Sequence, residues 1–240
     1  HLLDDLMLHN GDTEGKRLHQ KYSKIFSAGY QEDFKPQRAA ADILCMEPLN
    51  SPKDIVFNVY CLQTDEDYVL RLKIYHASEV VPLSQCLPML ENLGLKVIDE
   101  HAYEIANKFG GCIHNFYMEN NGRKAIDVPN IKHLVEEILY KIWNKELEDD
   151  GLNALAICAG LGFKEVTVLR AYSRYLRQIG LSYSQDYVEN CLVENPIVAK
   201  NIFLLFDVLF NPKGGKKNQR VRQAKAISNT IRGLLDYILS

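Results

Sequence analysis

The sequence predicts an α+β protein: a permuted ferredoxin-like domain, with a four-stranded antiparallel sheet and helices on one face, followed by an all-α helical region. Three observations predict it. Strand-like runs, rich in β-branched and aromatic residues or alternating with period two, recur between residues 55 and 119 around a single helical stretch. The strongest 3.6-residue period of the chain follows at 131–143. Beyond Asp150 only helical signals remain.

In chain order, residues 14–49 read as two helices. Leu18, Tyr22, Ile25 and Phe26 repeat at helical spacing, and Pro36 can open a second helix through Ala39, Ala40, Ile43 and Leu44, because proline is tolerated in a first turn. Asn50-Ser51-Pro52 breaks the pattern. The run from Ile55 to Leu62 is a strand. After the acidic turn Asp65-Glu66-Asp67, Leu70, Leu72 and Ile74 alternate with Arg71 and Lys73, which predicts a hairpin partner with one wet face. Pro82-Leu83-Ser84 opens a helix with Ser84 as N-cap and Pro88 in the first turn, a stripe of Leu87, Leu90 and Leu93, and Gly94 as the stop. Strands are expected over 95–105 and 112–119, with Gly110-Gly111 in the turn between them. Ile131, Leu134, Val135, Ile138, Leu139, Ile142 and Trp143 then mark one helix face. The order strand, strand, helix, strand, strand, helix is a ferredoxin-like set whose last strand has moved to the front.

Helices are expected at 151–160, 164–179, 185–194, 196–210 and 219–239, with Ser184 capping the third and Pro196 starting the fourth. The last shows Val221, Ala224, Ser228, Ile231, Leu234, Leu235 and Ile238 on one face, a stripe whose packing partner is expected outside this stretch of chain. The domains read as a helical lead-in at 1–51, an α+β domain at 52–148, a helical segment at 149–212 and a basic linker and helix at 213–240. With no initiating Met and no signal-peptide pattern, the chain reads as a piece of something longer.

The composition is that of an ordinary globular chain: 240 residues, 47% hydrophobic and 25% charged. Collagen-like and wholly disordered classes are excluded on that balance. No apolar run approaches the roughly 18 residues that span a bilayer, so no membrane partner is expected. Six widely spaced cysteines (Cys45, Cys61, Cys86, Cys112, Cys158 and Cys191) read as buried thiols of a reducing compartment. The seven histidines include no H-x-x-x-H, so no metal site is expected, and His114 reads as a half-buried strand residue.

Charge is uneven. Residues 211–240 hold seven basic residues and one acid, a net of +6, so the rest of the chain carries −9 of the overall −3. A basic end of this kind can bind nucleic acid, but no aromatic residue interleaves it before Tyr237, so the preferred reading of Lys213–Lys217 is a flexible linker. Ala159-Gly160-Leu161-Gly162 after the apolar run Ala154–Cys158 looks like the opening of a dinucleotide fingerprint. Glu165, however, stands where the third glycine belongs, and an acid at a helix start repels pyrophosphate. A helix-turn-helix corner explains the same residues. Arg170, Arg174 and Arg177, at i, i+4 and i+7 with Tyr172 and Tyr175 interleaved, form the candidate site. Such a face is a solvated basic stripe, a clamp for carboxylates or phosphates, or a docking surface for another domain. No catalytic, cofactor-binding or metal-binding residue is nominated.

Several blocks together resemble one family. Pro82-Leu83-Ser84-Gln85-Cys86-Leu87-Pro88-Met89-Leu90-Glu91-Asn92-Leu93-Gly94-Leu95-Lys96-Val97-Ile98-Asp99-Glu100 is similar to a stretch of the large bacterial NAD-specific glutamate dehydrogenases. So are Tyr30-Gln31-Glu32-Asp33-Phe34, Asp150-Gly151-Leu152-Asn153, the run Val168–Gln178, and Tyr183-Ser184-Gln185-Asp186-Tyr187. The blocks run in order from about 22 to 212. His101-Ala102 stands where the family usually has a proline before Tyr103, Phe163 where a tryptophan is common, and Leu152 where a phenylalanine is frequent. The resemblance implies an ACT-like module and helical motifs ahead of a catalytic domain. It also implies a cytoplasmic, homo-oligomeric parent that oxidatively deaminates L-glutamate with NAD, and partners in other domains and subunits of the same enzyme. It carries over no catalytic or NAD-binding residue. ACT modules elsewhere often bind an amino-acid effector at a glycine-containing strand-to-helix loop, and the loop here, residues 76–82, has no glycine. The expected function is therefore a non-catalytic regulatory or assembly segment. The two alternatives are an independent dinucleotide-binding enzyme built on Gly160 and Gly162, and a nucleic-acid-binding protein using residues 211–240.

Overall fold

The computed structural model describes residues 1–78, 80–106 and 111–239. Glu79 of the 76–82 loop and Gly110 of the expected turn lie outside the described residues. The chain divides into two compact units, His1–Pro88 with Lys96–Val128, and Met89–Leu95 with Pro129–Ser240.

The first unit opens with four helices, α1 (Leu2–Asn10), α2 (Asp12–Tyr22), α3 (Ala28–Asp33) and α4 (Pro36–Met46), the last three of them where the periodicity predicted two over 14–49. The region is broken more finely because Gly11, at φ 79°, separates the first pair, and Ser27 caps α3 through the Tyr30 amide. Pro36 does open its helix. Strands β1 (Ile55–Tyr60), β2 (Val69–His76), β3 (Leu95–Glu104) and β4 (Cys112–Asn120) form one sheet in the order β1-β2-β4-β3. That is the order a ferredoxin-like sheet takes when its last strand is moved to the front. The β1–β2 pair is antiparallel from Ile55↔His76 to Tyr60↔Arg71, and β2 pairs antiparallel with β4 from Val69↔Glu119 to His76↔Cys112.

The expectation of one wet sheet face is corrected. Leu70, Leu72 and Ile74 are buried as predicted, but Lys73 on the opposite face is 0% exposed. Tyr75, Tyr103 and Ile113 on that face share a core with Leu6, Leu18, Tyr22, Tyr30 and Ile43 of α1–α4. The alternation of β2 reports the pleat correctly. It cannot report that a helix brings a carboxylate to meet the lysine. Asp42 of α4, itself 0% exposed, pairs with the Lys73 ammonium and accepts hydrogen bonds from the Tyr30 hydroxyl at 2.5 Å and the Tyr75 hydroxyl at 2.8 Å. The Phe34 ring lies 3.6 Å from the ammonium. Buried charge without such partners costs several kcal/mol, and this cage supplies them.

Helix α5 (Leu83–Asn92) begins on the Pro82 carbonyl, which accepts from the Gln85 amide at 2.9 Å. Ser84 is thus inside the helix and not its cap, and Pro88 lies in the helix interior and not in its first turn. Gly94 ends the element at φ +78°, a conformation that glycine adopts without steric cost. The long periodic stretch forms α6 (Val128–Trp143), with Ile131, Val135, Ile138 and Leu139 buried.

The rest of the second unit is helical as expected. A 3-10 turn at Gly151–Ala154 leads into α7 (Leu155–Cys158), α8 (Phe163–Gln178), α9 (Gln185–Glu194), α10 (Pro196–Phe210) and α11 (Lys217–Leu239). The Ser184 hydroxyl caps α9 by accepting from the Tyr187 amide at 3.1 Å, and Pro196 stands in the first turn of α10. Residues 213–216 of the expected linker form part of a turn between α10 and α11, and Lys217 begins α11. The Gly214 amide donates to the Asn211 carbonyl there, and the Arg220 guanidinium donates to the Val208 carbonyl at 2.7 Å. The guanidinium thereby satisfies a carbonyl at the end of α10.

The cysteines are not uniformly buried. Cys86 and Cys112 are fully enclosed, Cys45, Cys158 and Cys191 are half-buried, and Cys61 is exposed because it follows the last residue of β1. Burial, helped by the Glu100 charge, pushes the Cys86 thiol up to about 12 and the Cys112 thiol up to about 11. A maleimide offered to the folded protein at neutral pH should label Cys61 and spare Cys86 and Cys112 until the chain unfolds. Equal labelling of all three would contradict the packing. Lys73→Met should cost about 3–5 kcal/mol, because it removes the buried ammonium from Asp42 and leaves it only the longer Arg38 contact at 3.4 Å, and adding Asp42→Asn should recover most of the loss in urea unfolding. Burial pulls the Lys73 ammonium down to about 8 from its ordinary 10.5, with Asp42 opposing. The folded state releases this proton before the unfolded chain does. This contribution to stability is therefore full above 10.5 and is lost as pH falls through about 8. The urea midpoint should rise across that interval in the wild type, and Lys73→Met should flatten the rise.

Candidate functional site

Helix α8 buries Val166, Leu169, Arg170 and Ser173, so Arg170 faces the interior of its own unit, while Arg174 and Arg177 further along the row are exposed. Arg170 is 4% exposed. Its guanidinium donates to both Asp150 oxygens, at 2.6 and 2.8 Å, and to the Asn153 side-chain oxygen at 2.9 Å. Asn153, fully buried, donates in turn to the Glu148 carbonyl at 3.0 Å, and Asp150 accepts from the Leu152 amide at the start of the 3-10 turn. One residue further along α8's row, Arg174 pairs with Glu148, both side chains half exposed. Arg177 donates to the Gln185 side-chain oxygen at 3.0 Å. The three arginines do share one face, and that face is met by segment 148–153 and by the start of α9.

The same segment explains Gly151. Its amide donates to Glu189 Oε2 at 3.0 Å, and a Cβ at Gly151 would lie 2.8 Å from that oxygen. Glu189 is 7% exposed and also accepts from Gln185 at 2.6 Å. Burial pushes its carboxyl above the ordinary range, and the Asp150 charge adds to the push. Bidentate Arg170–Asp150 geometry of this kind locks a turn onto a helix. It leaves no free guanidinium fork at Arg170 for a ligand.

The two tyrosines of the candidate site point elsewhere. Tyr172 is 39% exposed and meets the Phe206 ring edge to face, and Tyr175 is 57% exposed. Leu176, Ile179 and Leu181 continue the exposed apolar surface, and Tyr183 stacks on Tyr187 at 4.7 Å with both rings largely in solvent. Aromatic and aliphatic groups clustered in this way are what protein interfaces use.

The apolar run at 154–158 is helical, not a strand, and Gly160 (φ +63°) turns the chain into α8. A Cβ at Gly162 would lie 2.7 Å from Glu165 Oε2, so the acid's own carboxylate occupies the N-terminus of α8. The Gly160–Gly162 loop therefore does not fit a dinucleotide pyrophosphate. Among the described residues, no group of His, Cys, Asp and Glu is arranged to hold a metal ion, and no helix is long and apolar enough to cross a membrane.

Two clusters in the first unit were not legible as such. The Asp42 cage is one. The other centres on His114, which is 1% exposed and not half-buried. Its Nε2 accepts from the Val81 amide at 3.0 Å, which places the ring proton on Nδ1, 2.6 Å from Glu100 Oε1. The Val81 amide of the 76–82 loop is thus already bonded within the protein. The Tyr30–Phe34 block is engaged similarly: the Tyr103 hydroxyl donates to Asp33 at 2.6 Å, and the Tyr30 ring packs against Phe26, Phe34 and Tyr103.

Comparison with known proteins agrees with this architecture segment by segment. Residues 6–49 match the model for glutamate dehydrogenase helical motif 2, residues 54–131 the glutamate dehydrogenase ACT3 domain, and residues 147–212 glutamate dehydrogenase helical motif 3. The chain belongs to the NAD-specific glutamate dehydrogenase family. It is 34% identical over 203 residues to the NAD-specific glutamate dehydrogenase of Halomonas elongata, covering 84% of this chain and 13% of that one. It is 31% identical over 202 residues to that of Pseudomonas aeruginosa, covering 83% and 12%. It is 30% identical over 229 residues to that of Mycobacterium tuberculosis, covering 91% and 14%. The chain therefore spans a small part of the length of the curated glutamate dehydrogenases it matches, and its sheet is the ACT module of that family.

The two classes of arginine separate in a stability measurement. Arg170→Met should lower the thermal stability of the helical unit by about 3–5 kcal/mol, because it leaves the Asp150 carboxylate without its partner. Arg174→Met should cost less than about 1 kcal/mol, because its pair with Glu148 is half exposed. Equal losses in the two variants would contradict the lock.

Proposed function

We propose that this chain is a non-catalytic regulatory and assembly segment of an NAD-specific glutamate dehydrogenase. The whole polypeptide would convert L-glutamate, NAD and water to 2-oxoglutarate, ammonia and NADH, in the cytoplasm and as a homo-oligomer. The segment would comprise the lead-in at 1–51, the ACT-like domain at 52–148, the helical motif at 149–212 and the basic turn and helix at 213–240, which leads towards the catalytic domain.

One observation carries this reading. Three carboxylates of the family-like blocks are engaged in bonds that hold the fold: Asp33 with Tyr103, Glu100 with His114, and Asp150 with Arg170. What the helical unit offers outward is apolar and aromatic: Tyr172, Tyr175, Leu176, Ile179, Tyr183 and Tyr187. A surface of that kind acts by contact. A segment that contacts another domain or subunit in one of its states biases that state, and by linkage an effector bound anywhere on the segment would change turnover by its differential affinity for the two states. Any amino-acid effector would enter the mechanism in this way, and NAD would be held by the catalytic part.

The test uses the full-length enzyme with Arg174→Glu and Tyr175→Ala combined. Both positions are solvent-facing, so the helical unit should keep its helical content and melting behaviour. Loss of an interface aromatic should shift the assembly equilibrium or the turnover number by about tenfold, read by light scattering on a sizing column and by NADH absorbance. A wild-type oligomer with wild-type turnover would overturn the docking role.

A further inference from the structure

The first unit holds a cavity of about 600 Å³ between α1, α2, α3 and the start of α4. That lies within the range of roughly 300–1,000 Å³ usual for small-molecule sites. Three aromatic rings four residues apart line it: Phe26 stacks on Tyr30 at 4.3 Å with 15° between the planes, and Phe34 follows Tyr30 at 4.8 Å. The Tyr30 hydroxyl is held by Asp42, so its ring is what Tyr30 offers the cavity. Leu2 and Leu3 of α1 and Ala39 of α4 add apolar wall. The polar groups come from α2 and α3. His19 and Ser23 stand one helical turn apart, the Ser23 amide donating to the His19 carbonyl at 2.9 Å, and neither side chain bonds a partner among the described residues. Gln31 donates from its side-chain nitrogen to the Phe26 carbonyl at 2.9 Å, which leaves its side-chain oxygen as an acceptor. No Lys or Arg lines the cavity among the described residues, and the one carboxylate of its lining is the exposed Asp4.

We propose that this cavity binds a small flat-ring compound without negative charge, its ring against Phe26, Tyr30 and Phe34 and its polar end on His19, Ser23 or Gln31. Aromatic walls favour a planar partner in offset or edge-on contact. A phosphate or a dicarboxylate would have to leave water with no Lys or Arg to receive it and with the Asp4 carboxylate nearby. That chemistry separates the site from one for L-glutamate, 2-oxoglutarate or a dinucleotide. The cavity is built by helices that precede the sheet, so it is also separate from the 76–82 loop. Two of its rings touch the buried pair, Tyr30 through its hydroxyl on Asp42 and Phe34 through the Lys73 ammonium at 3.6 Å. A ligand that holds these rings therefore favours closure of the lead-in helices over the sheet. The site goes beyond the docking role proposed for α8 and does not depend on it.

Equilibrium dialysis of the full-length enzyme with radiolabelled indole, in the presence of saturating NAD and 2-oxoglutarate, tests the proposal. Indole should saturate one site per subunit with a Kd below about 1 mM, the scale open to so small a ligand. Indole-3-acetate, the same ring with a carboxylate, should bind about fivefold more weakly at low ionic strength. Hydrogen–deuterium exchange should slow in peptides covering residues 19–39 when indole is bound. Ser23→Trp, at a half-buried position just past α2, puts a ring into the cavity and should weaken indole binding about tenfold. Should that variant fail to fold, Gln31→Trp, at an exposed position of α3, fills the same space with the same expected loss. Uptake that does not saturate, slowed exchange confined to other peptides, indole-3-acetate binding as tightly as indole, or wild-type affinity in a folded filled variant would overturn the site.

Discussion

Asp42 has no exposed surface, and the first unit is arranged to keep its charge from being stranded. The carboxylate comes from a helix that precedes the sheet, the lysine that neutralises it from the second strand, two hydroxyls from α3 and β2, and a second cation, Arg38 at 3.4 Å, from one turn earlier on its own helix. Lys73 and Tyr75 lie on β2 and Asp42 on α4, so the pair can form only when the lead-in helices close over the sheet. A buried pair contributes little net stability compared with a well-packed apolar core, but it penalises every arrangement that separates its members. Its effect is to set register. Lys73 must face the helices, which places Tyr75 and Ile113 beside it and leaves Leu72 and Ile74 on the other face. The lead-in and the ACT-like sheet thus share one core, although helical motif 2 and the ACT3 domain match as separate stretches ending at 49 and starting at 54.

The second unit uses the same device in a different place. Arg170 stands in the buried stripe of α8 and holds the turn at 150–153 by three hydrogen bonds, while Glu189 holds Gly151 from α9. Asp150-Gly151-Leu152-Asn153 is therefore a structural motif: an acid for the arginine, a glycine for a close carboxylate, an apolar residue for the core and an amide for two further bonds. Residues that make a family recognisable need not be those that touch its substrate. Here they hold the turns and strand neighbours that give the scaffold its shape, and the surface left over is aromatic and apolar.

Periodicity made the helices after Asp150 and the strand order legible, because both follow from local geometry. The 3.6-residue repeat of α6, the proline at the start of α10 and the serine cap of α9 each act within a few residues of where they are written. The single-faced sheet was misread for the same reason. Alternation at Leu70–Ile74 states that Arg71 and Lys73 lie opposite the leucines, and nothing within ten residues states that Asp42, 31 positions away, meets one of them. Arg71 stays partly exposed with Asp65, while Lys73 is enclosed, and the pattern of β2 is identical for both. The arginine row of α8 was legible as a face, but not that its first member is turned inward, since nothing local states that Asp150 and Asn153, 20 and 17 positions earlier, meet Arg170. His114 looked like an ordinary strand residue because Val81 and Glu100 reach it from other segments.

The amino-acid order by itself determined the class of fold, the permuted strand sequence, the helical second half and the family, because these depend on short-range spacing and on blocks of identical residues. Only the tertiary structure decided which polar groups are free to act. Whether a lysine, an arginine or a histidine is a surface charge or a bonded interior group depends on what distant chain segments place beside it. Desolvation makes that choice all or none: a charge that leaves water must find its partner, and the partner's position is written elsewhere in the chain.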